Sequence, residues 1–331
     1  MNKPLILATD QIHSDAIALL AGFDEFTFST CSAMPDEQDR LADADVVIVR
    51  NPLPADLFDR ALRLKAVIRH GAGLDMIPVE AASRAGVLVA NVPKVNANAV
   101  AEYVLGQMIS LSRQLCSVEH LFRSASWQEA RALASHGFEL AGKTVAVIGV
   151  GAVGNRVATI CARGFGMRVL GVHPSRQDTE GEDVVYVSLH KALSEADFVV
   201  LSCPLNKATE NMLGAEELGL MKHSAFIINV ARGKVENTGA LCAALAHKRI
   251  AGAALDVFET QPLPREAELL ALEGVRLSPH VAGITEESMR SMSMGAARQA
   301  VDVLKGQFPP NWINVEARDR ITDRWAFLKN S

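Results

Sequence analysis

The stretch "VAVIGVGAVGNRVA", residues 145–158, decides the fold. Its apolar run ends in Gly149, and Gly151 and Gly154 follow in GxGxxG spacing just before a helix-forming segment. Each glycine has its own task. The first makes a tight turn, the second lets a pyrophosphate approach the backbone, and the third lets the helix pack closely on the strand. The helix start then offers unpaired N–H groups and the positive end of a dipole to an anion. A glycine-rich turn with no ligand is the plain alternative. The strand–turn–helix setting favours a dinucleotide site, with Gly149, Gly151, Ala152, Val153 and Gly154 around the phosphates.

Working outward, short apolar runs alternate with helical stretches through most of the chain, as in parallel α/β sheets. Upstream, strands are expected at "LILAT", "VVIVR", "AVIRH" and "VLVAN", with a helix over 78–85. One long helix is expected over "NANAVAEYVLGQMISLSRQL", then a loop-like polar segment carrying Trp127 and Gly137. Downstream, strands are expected near "RVLGVH", "DFVVLSC", "AFIINVA", "IAGAALDV" and "VRLSP". Residues 286–305 read as helix and "PPNWINVEARDRITDRW" as irregular. The strands are apolar throughout rather than alternating, which suits sheets covered on both faces. At 331 residues, two domains are the default. No low-complexity linker separates them, so a cleft between two α/β domains is expected.

Composition narrows the function. Lys plus Arg number 33 against 38 Asp plus Glu, a formal charge of -5, which argues against a nucleic-acid footprint. The five cysteines form no CxxC pair, so neither a disulfide framework nor a metal site is expected. No apolar stretch reaches a membrane span, and "MNKPLILATD" is too brief for a signal segment. A soluble, cytoplasmic protein is the expectation.

The strand after the glycine turn should end in an acid that binds the adenosine ribose. Here "RVLGVH" ends at His173, followed by Pro174, Ser175 and Arg176. A carboxylate would repel a 2′-phosphate, whereas a hydroxyl and a guanidinium would accept one, so NADP is favoured slightly over NAD. An ordinary solvated loop is the alternative. Three further strand ends carry "NVARG" (229–233), "LDVFETQP" (255–262) and "SPHVAG" (278–283). Ligands of open parallel sheets bind outside the carboxyl ends of strands. An arginine, a carboxylate or amide and a histidine delivered there suggest hydride transfer.

With these motifs in order, together with "AVIRHGAGLDMIPVEAASRAGVLVANVP", "NANAVAEYVLG" and "LSCPL", nearly the whole chain resembles the D-isomer-specific 2-hydroxyacid dehydrogenases. The family includes D-3-phosphoglycerate dehydrogenases, glyoxylate/hydroxypyruvate reductases and formate dehydrogenases. The resemblance implies two Rossmann-like or flavodoxin-like domains. Residues 1–98 and 287–331 would bind substrate, and 99–286 would form the dinucleotide domain, usually dimerised with its copy. It implies a small 2-keto or 2-hydroxy acid as substrate, held by Arg232 and the "HGAG" segment of His70, Ala72 and Gly73. His280 would be the acid/base. Cys203 and Pro204 would border the adenine, with Val230, Ala231, Asp256, Ala282 and Gly283 completing the cofactor site towards the nicotinamide.

Two positions depart from the family pattern. The catalytic glutamate just before the proline is replaced by Gln261, with Glu259 two residues earlier a poor substitute. Formate dehydrogenases of this family also pair glutamine with the histidine, so formate oxidation stands beside phosphoglycerate oxidation as an alternative to 2-keto acid reduction. A dinucleotide-sensing corepressor is a further alternative, against which the retention of Arg232 and His280 argues. The other departure is Lys94, where relatives usually carry glycine, with a second anionic group on the substrate as its suspected partner.

Overall fold

The computed structural model describes residues 3–31, 39–176 and 179–330. It contains two compact units, Met1–Asn96 with Ile284–Ser331, and Ala97–Gly283.

The first unit holds five parallel strands, β1 (Leu5–Ala8), β2 (Thr27–Thr30), β3 (Val46–Val49), β4 (Ala66–Arg69) and β5 (Leu88–Ala90), in the order β2-β1-β3-β4-β5. This is the flavodoxin-like order. Both faces are buried. Ile6, Ile48 and Ile68 pack with Ala296, Ala297 and Ala300 of the helix Glu286–Leu304, while Leu7, Val47 and Val67 pack with Leu57 and Phe58 on the other side. Each such side chain stabilises the fold by about 1.5–3 kcal/mol on burial, which is why the strands read as unbroken apolar runs.

In the second unit the strands are β6 (Thr144–Ile148), β7 (Arg168–Val172), β8 (Thr179–Glu180), β9 (Val185–Tyr186), β10 (Phe198–Leu201), β11 (Phe226–Asn229), β12 (Gly252–Leu255) and β13 (Val275–Leu277). Their order is β13-β12-β11-β10-β6-β7-β9-β8, and only the β8–β9 pairing is antiparallel. The order reverses between β6 and β10, so the loops after these two strands flank the crevice where such sheets bind ligands.

Four expectations change. The segment after the long helix is not loop-like. The helix Ala97–Arg113 stops at Gln114, whose φ of 51° is left-handed, and two more helices follow, Leu115–Ser124 and Trp127–Ala134. The tail contains the helix Arg318–Asn330. Its sequence is too polar to show an apolar face. It is docked by Ile321, fully buried, and by Arg324, which donates to the carbonyls of Leu64 (2.7 Å), Ala85 (3.0 Å) and Ala61 (2.6 Å). Strand β2, "TFST", is a half-exposed edge with little apolar signal. The two-residue strands β8 and β9 are too short to leave one.

Candidate active site

The glycine turn has the shape its spacing requires. Gly149 has φ 95°, and a Cβ there would lie 2.5 Å from the Cys203 Cα at the end of β10. A Cβ on Gly154 would stand 2.2 Å from the Gly149 carbonyl, so only glycine lets the helix Ala152–Phe165 approach the strand. Gly151, the N-cap of that helix, is different, because a Cβ there meets open space. A larger residue there would project into the open space in front of a helix N-terminus, the place an anion such as a pyrophosphate takes. Ala152 is exposed and Val153 half-buried at the same end. Cys203 is buried against the turn and Pro204 exposed beside it.

Beyond β7, the Ser175 amide donates to His173 Nδ1 (3.3 Å), and the Ser175 hydroxyl lies 3.1 Å from the same nitrogen. Arg176 is exposed. Its guanidinium lies over the Tyr186 ring at 5.3 Å and donates to the Tyr186 hydroxyl at 2.8 Å, which holds the charge over the loop. Tyr186 was not singled out by the sequence, since it belongs to one of the very short strands.

The three loops after β11, β12 and β13 form one cluster. Asn229, fully buried at the end of β11, accepts from the Ala231 amide (2.9 Å) and donates to the Arg232 carbonyl (3.1 Å), which shapes the turn carrying the arginine. The half-buried Arg232 donates to the Ala231 carbonyl at 2.7 Å. At Gly233 a Cβ would fall 1.9 Å from the carbonyl carbon of Phe258, so the Arg232 turn rests on the backbone of the next loop. That loop delivers Gln261. Its amide donates to the Phe258 carbonyl (3.3 Å), which aims Oε1 at His280 Nδ1, 3.0 Å away. An amide oxygen only accepts, so His280 Nδ1 is the donor of this bond and its proton is fixed there.

Asp256 anchors His280 from behind. Its carboxylate accepts from the hydroxyl of Ser278 (2.5 Å) and the amides of Val281 and Ala282 (2.8 Å each), while the His280 amide donates to its carbonyl (2.8 Å). These bonds hold His280 at φ 56°, in the left-handed region. Asp256 is 1% exposed, so the structure turns its carboxylate inward to the loop rather than outward to a nicotinamide. Tyr103 donates in turn to Ser278 (2.5 Å), and burial raises its pKa. Val230 and Gly283 are half-buried at the rims of these loops; Ala231 and Ala282 are buried within them.

In the other unit, the "HGAG" turn is built by residues whose own sequence context carries no signal. Arg69 donates to the carbonyls of Val49 and His70 (2.8 Å each) and Gly73 (3.1 Å), and Asn91 to that of Ala72 (2.8 Å). With the carbonyls drawn inward, no described residue accepts from the Ala72 or Gly73 amide, and these N–H groups suit an anion. The His70 ring plays no such part. It is 3% exposed and bonds Ser293 Oγ at 2.8 Å, and burial lowers its pKa to about 3, so it braces the turn as a neutral group. Lys94 is exposed, at φ 70°.

Comparison with known proteins identifies the family. The family described as "D-isomer specific 2-hydroxyacid dehydrogenase, NAD binding domain" matches residues 105–282. A glyoxylate reductase of Thermococcus kodakarensis is 38% identical over 284 residues, 84% of each chain. A D-3-phosphoglycerate dehydrogenase of Methanocaldococcus jannaschii is 35% identical over 315 residues, 94% of this chain but 59% of that longer protein. Among solved structures, an NADPH-dependent glyoxylate/hydroxypyruvate reductase of Sinorhizobium meliloti, in complex with NADP and malonate, aligns with a TM-score of 0.80 at 25% identity, covering 95% of this chain and 97% of that one. Among the described residues no helix is long and apolar enough to cross a membrane. The chain belongs to the D-isomer-specific 2-hydroxyacid dehydrogenases and is an NAD(P)-dependent oxidoreductase.

Proposed function

We propose that this protein reduces a small 2-keto acid of the glyoxylate/hydroxypyruvate class to its D-2-hydroxy acid, with NADPH serving at least as well as NADH. The observation that carries the reading is the 3.0 Å bond from His280 Nδ1 to Gln261, beside a turn that presents Arg232. When bound, the nicotinamide supplies the hydride that reduces the keto carbon. His280 donates its Nε2 proton to the keto oxygen as negative charge develops there. Arg232 pairs with the substrate carboxylate, a task suited to its planar fork of donors.

Gln261 sets the reaction apart from that of relatives with glutamate. It orients the imidazole and fixes its tautomer, but adds no negative charge to hold the imidazolium. The cofactor preference rests on Arg176, held by Tyr186 on the loop after β7, where Pro174 and Ser175 follow His173 directly. A substrate-binding role for the unit of residues 1–96 and 284–331, a cytoplasmic setting and a homodimer complete the reading. The dimer is supported by Leu115 and Phe122 of the helix Leu115–Ser124 and by Trp127 of the next helix, large apolar side chains left exposed.

The test is a panel of glyoxylate, hydroxypyruvate, pyruvate and phosphohydroxypyruvate with NADPH and NADH, run beside formate with NADP and NAD. Reduction of glyoxylate and hydroxypyruvate is expected. Formate oxidation without keto-acid reduction would instead give the glutamine–histidine pair the role it has where no proton moves, and would overturn the proposal.

A further inference from the structure

Glu236 lies outside every role described so far, yet it is 3% exposed and bonded to the residue that shapes the Arg232 turn. After Arg232 the chain makes a single 3-10 turn, Gly233–Val235, and Glu236 follows it in extended conformation, bridged to Leu213. Val235 and Asn237 flank Glu236 and exchange backbone bonds with Leu213 (3.2 and 3.0 Å), which fixes the register. The carboxyl then meets the Asn229 amide, whose Nδ2 donates to Glu236 Oε2 at 2.8 Å. No described cation pairs with Glu236. The titratable group facing it is the Cys242 thiol of the helix Thr238–Ala246, whose pKa is raised by burial first, then by Glu268 and Glu236. Burial pushes the Glu236 carboxyl to about 8, so near neutral pH it is mostly a neutral acid.

The Asn229 amide has two ends of similar shape and opposite hydrogen-bonding character. Its oxygen serves the Ala231 N–H, and its nitrogen serves the Arg232 carbonyl and Glu236. The Ala231 N–H and the Arg232 carbonyl set that orientation, and the Glu236 acceptor satisfies the second Nδ2 proton and ties the amide to the extended segment after the turn. With an apolar group there, one Asn229 N–H loses its partner in a buried setting, and the amide no longer holds both ends of the turn equally well.

We propose that Glu236 is a positioning residue for the substrate anchor, locking the Asn229 amide and thereby the turn that aims Arg232. Its catalytic consequence rests on the function proposed above; its effect on the turn does not.

The test uses the full chain with three substitutions. Glu236→Gln keeps the shape and a neutral acceptor. Glu236→Met keeps the volume without the acceptor, and Glu236→Val suits the extended backbone (φ −103°, ψ 151°) if methionine disturbs folding. Steady-state kinetics with glyoxylate and NADPH, NADPH titration, and hydrogen exchange over residues 229–236 are the readouts. The glutamine variant should match wild type in all three. The apolar variants should lose about ten- to hundredfold in kcat/KM, chiefly through a higher KM, with NADPH affinity unchanged and faster exchange at the Ala231 amide. Wild-type KM and wild-type exchange in the apolar variants would overturn the proposal, as would a glutamine variant as impaired as they are. If wild type reduced no keto acid, the functional reading would fall, and the exchange comparison would still decide the role of Glu236.

Discussion

Substituting Gln261 by glutamate adds a negative charge without changing the shape of the side chain. The acceptor oxygen would stand where Gln261 Oε1 stands, 3.0 Å from His280 Nδ1. Gln261 is exposed, so solvent screens the new pair and a water-like dielectric is the fair choice. A unit charge at that distance then stabilises the imidazolium by about 1.4 kcal/mol, which is one pKa unit. Reduction needs His280 protonated. The alkaline limb of kcat/KM against pH, measured with glyoxylate and NADPH, should therefore move up by about one unit in Gln261→Glu. Activity well below the limb should change little, because both proteins are protonated there. Superimposed profiles would refute the reasoning, since the 3.0 Å bond would then have no part in the proton transfer.

The other predictions concern the remaining groups. Arg176→Ala should weaken NADPH binding by roughly ten- to hundredfold, the worth of one charge-assisted contact, and leave NADH nearly unaffected; fluorescence titration with each cofactor separates them. Arg232→Lys keeps the charge and loses the fork, so keto-acid turnover should fall strongly while cofactor affinity holds, measured by kcat/KM beside NADPH titration. Thermal stability should also follow two buried groups of opposite sense. His70, lowered from 6.5 to about 3, binds its proton only in the unfolded chain over that range, so stability falls as pH drops below 6.5. Glu236, raised from 4.5 to about 8, holds a proton that the unfolded chain has lost, so stability falls as pH climbs from 4.5 through 8. Between 4.5 and 6.5 the two oppose each other. Calorimetry of Glu236→Gln should therefore show the decline between pH 6.5 and 8 flattened.

Much of the fold could be read from the chain because central parallel strands announce themselves twice, through their apolar runs and through the turns at their carboxyl ends. Val145–Ile148 is buried on both faces and ends in a turn that only glycine can make. The elements that escaped reading are those whose stability comes from elsewhere. The helix Arg318–Asn330 is fastened by Arg324 to three carbonyls more than 230 residues away in sequence, a bond that no local pattern carries. The helix Leu115–Ser124 leaves Leu115 and Phe122 exposed and only half-buries Val118 and Leu121, so no fully buried residue marks it as part of a core.

The proposed active site divides along the same line. Arg232, Gln261 and His280 sit at strand ends inside recognisable motifs, and the glycines around them are dictated by contacts as close as the 1.9 Å that a Gly233 Cβ would make. Their supports were not legible, because support depends on partners brought from other strands. Asp256 looked like a ligand-facing acid, yet its three donors arrive from residues 278–282, and only the fold shows that they turn its carboxylate inward. His70 looked like part of the anion site, yet a hydroxyl 223 positions later holds its ring inside the unit. What remains on the outside of that turn is backbone, the amides of Ala72 and Gly73, freed for an anion because Arg69 and Asn91 hold the carbonyls. Side chains of type Asp or His near a motif therefore signal chemistry only after their hydrogen bonds have been counted. In this chain the count moves two of them from the reacting surface to the frame that holds His280 and the "HGAG" turn in place.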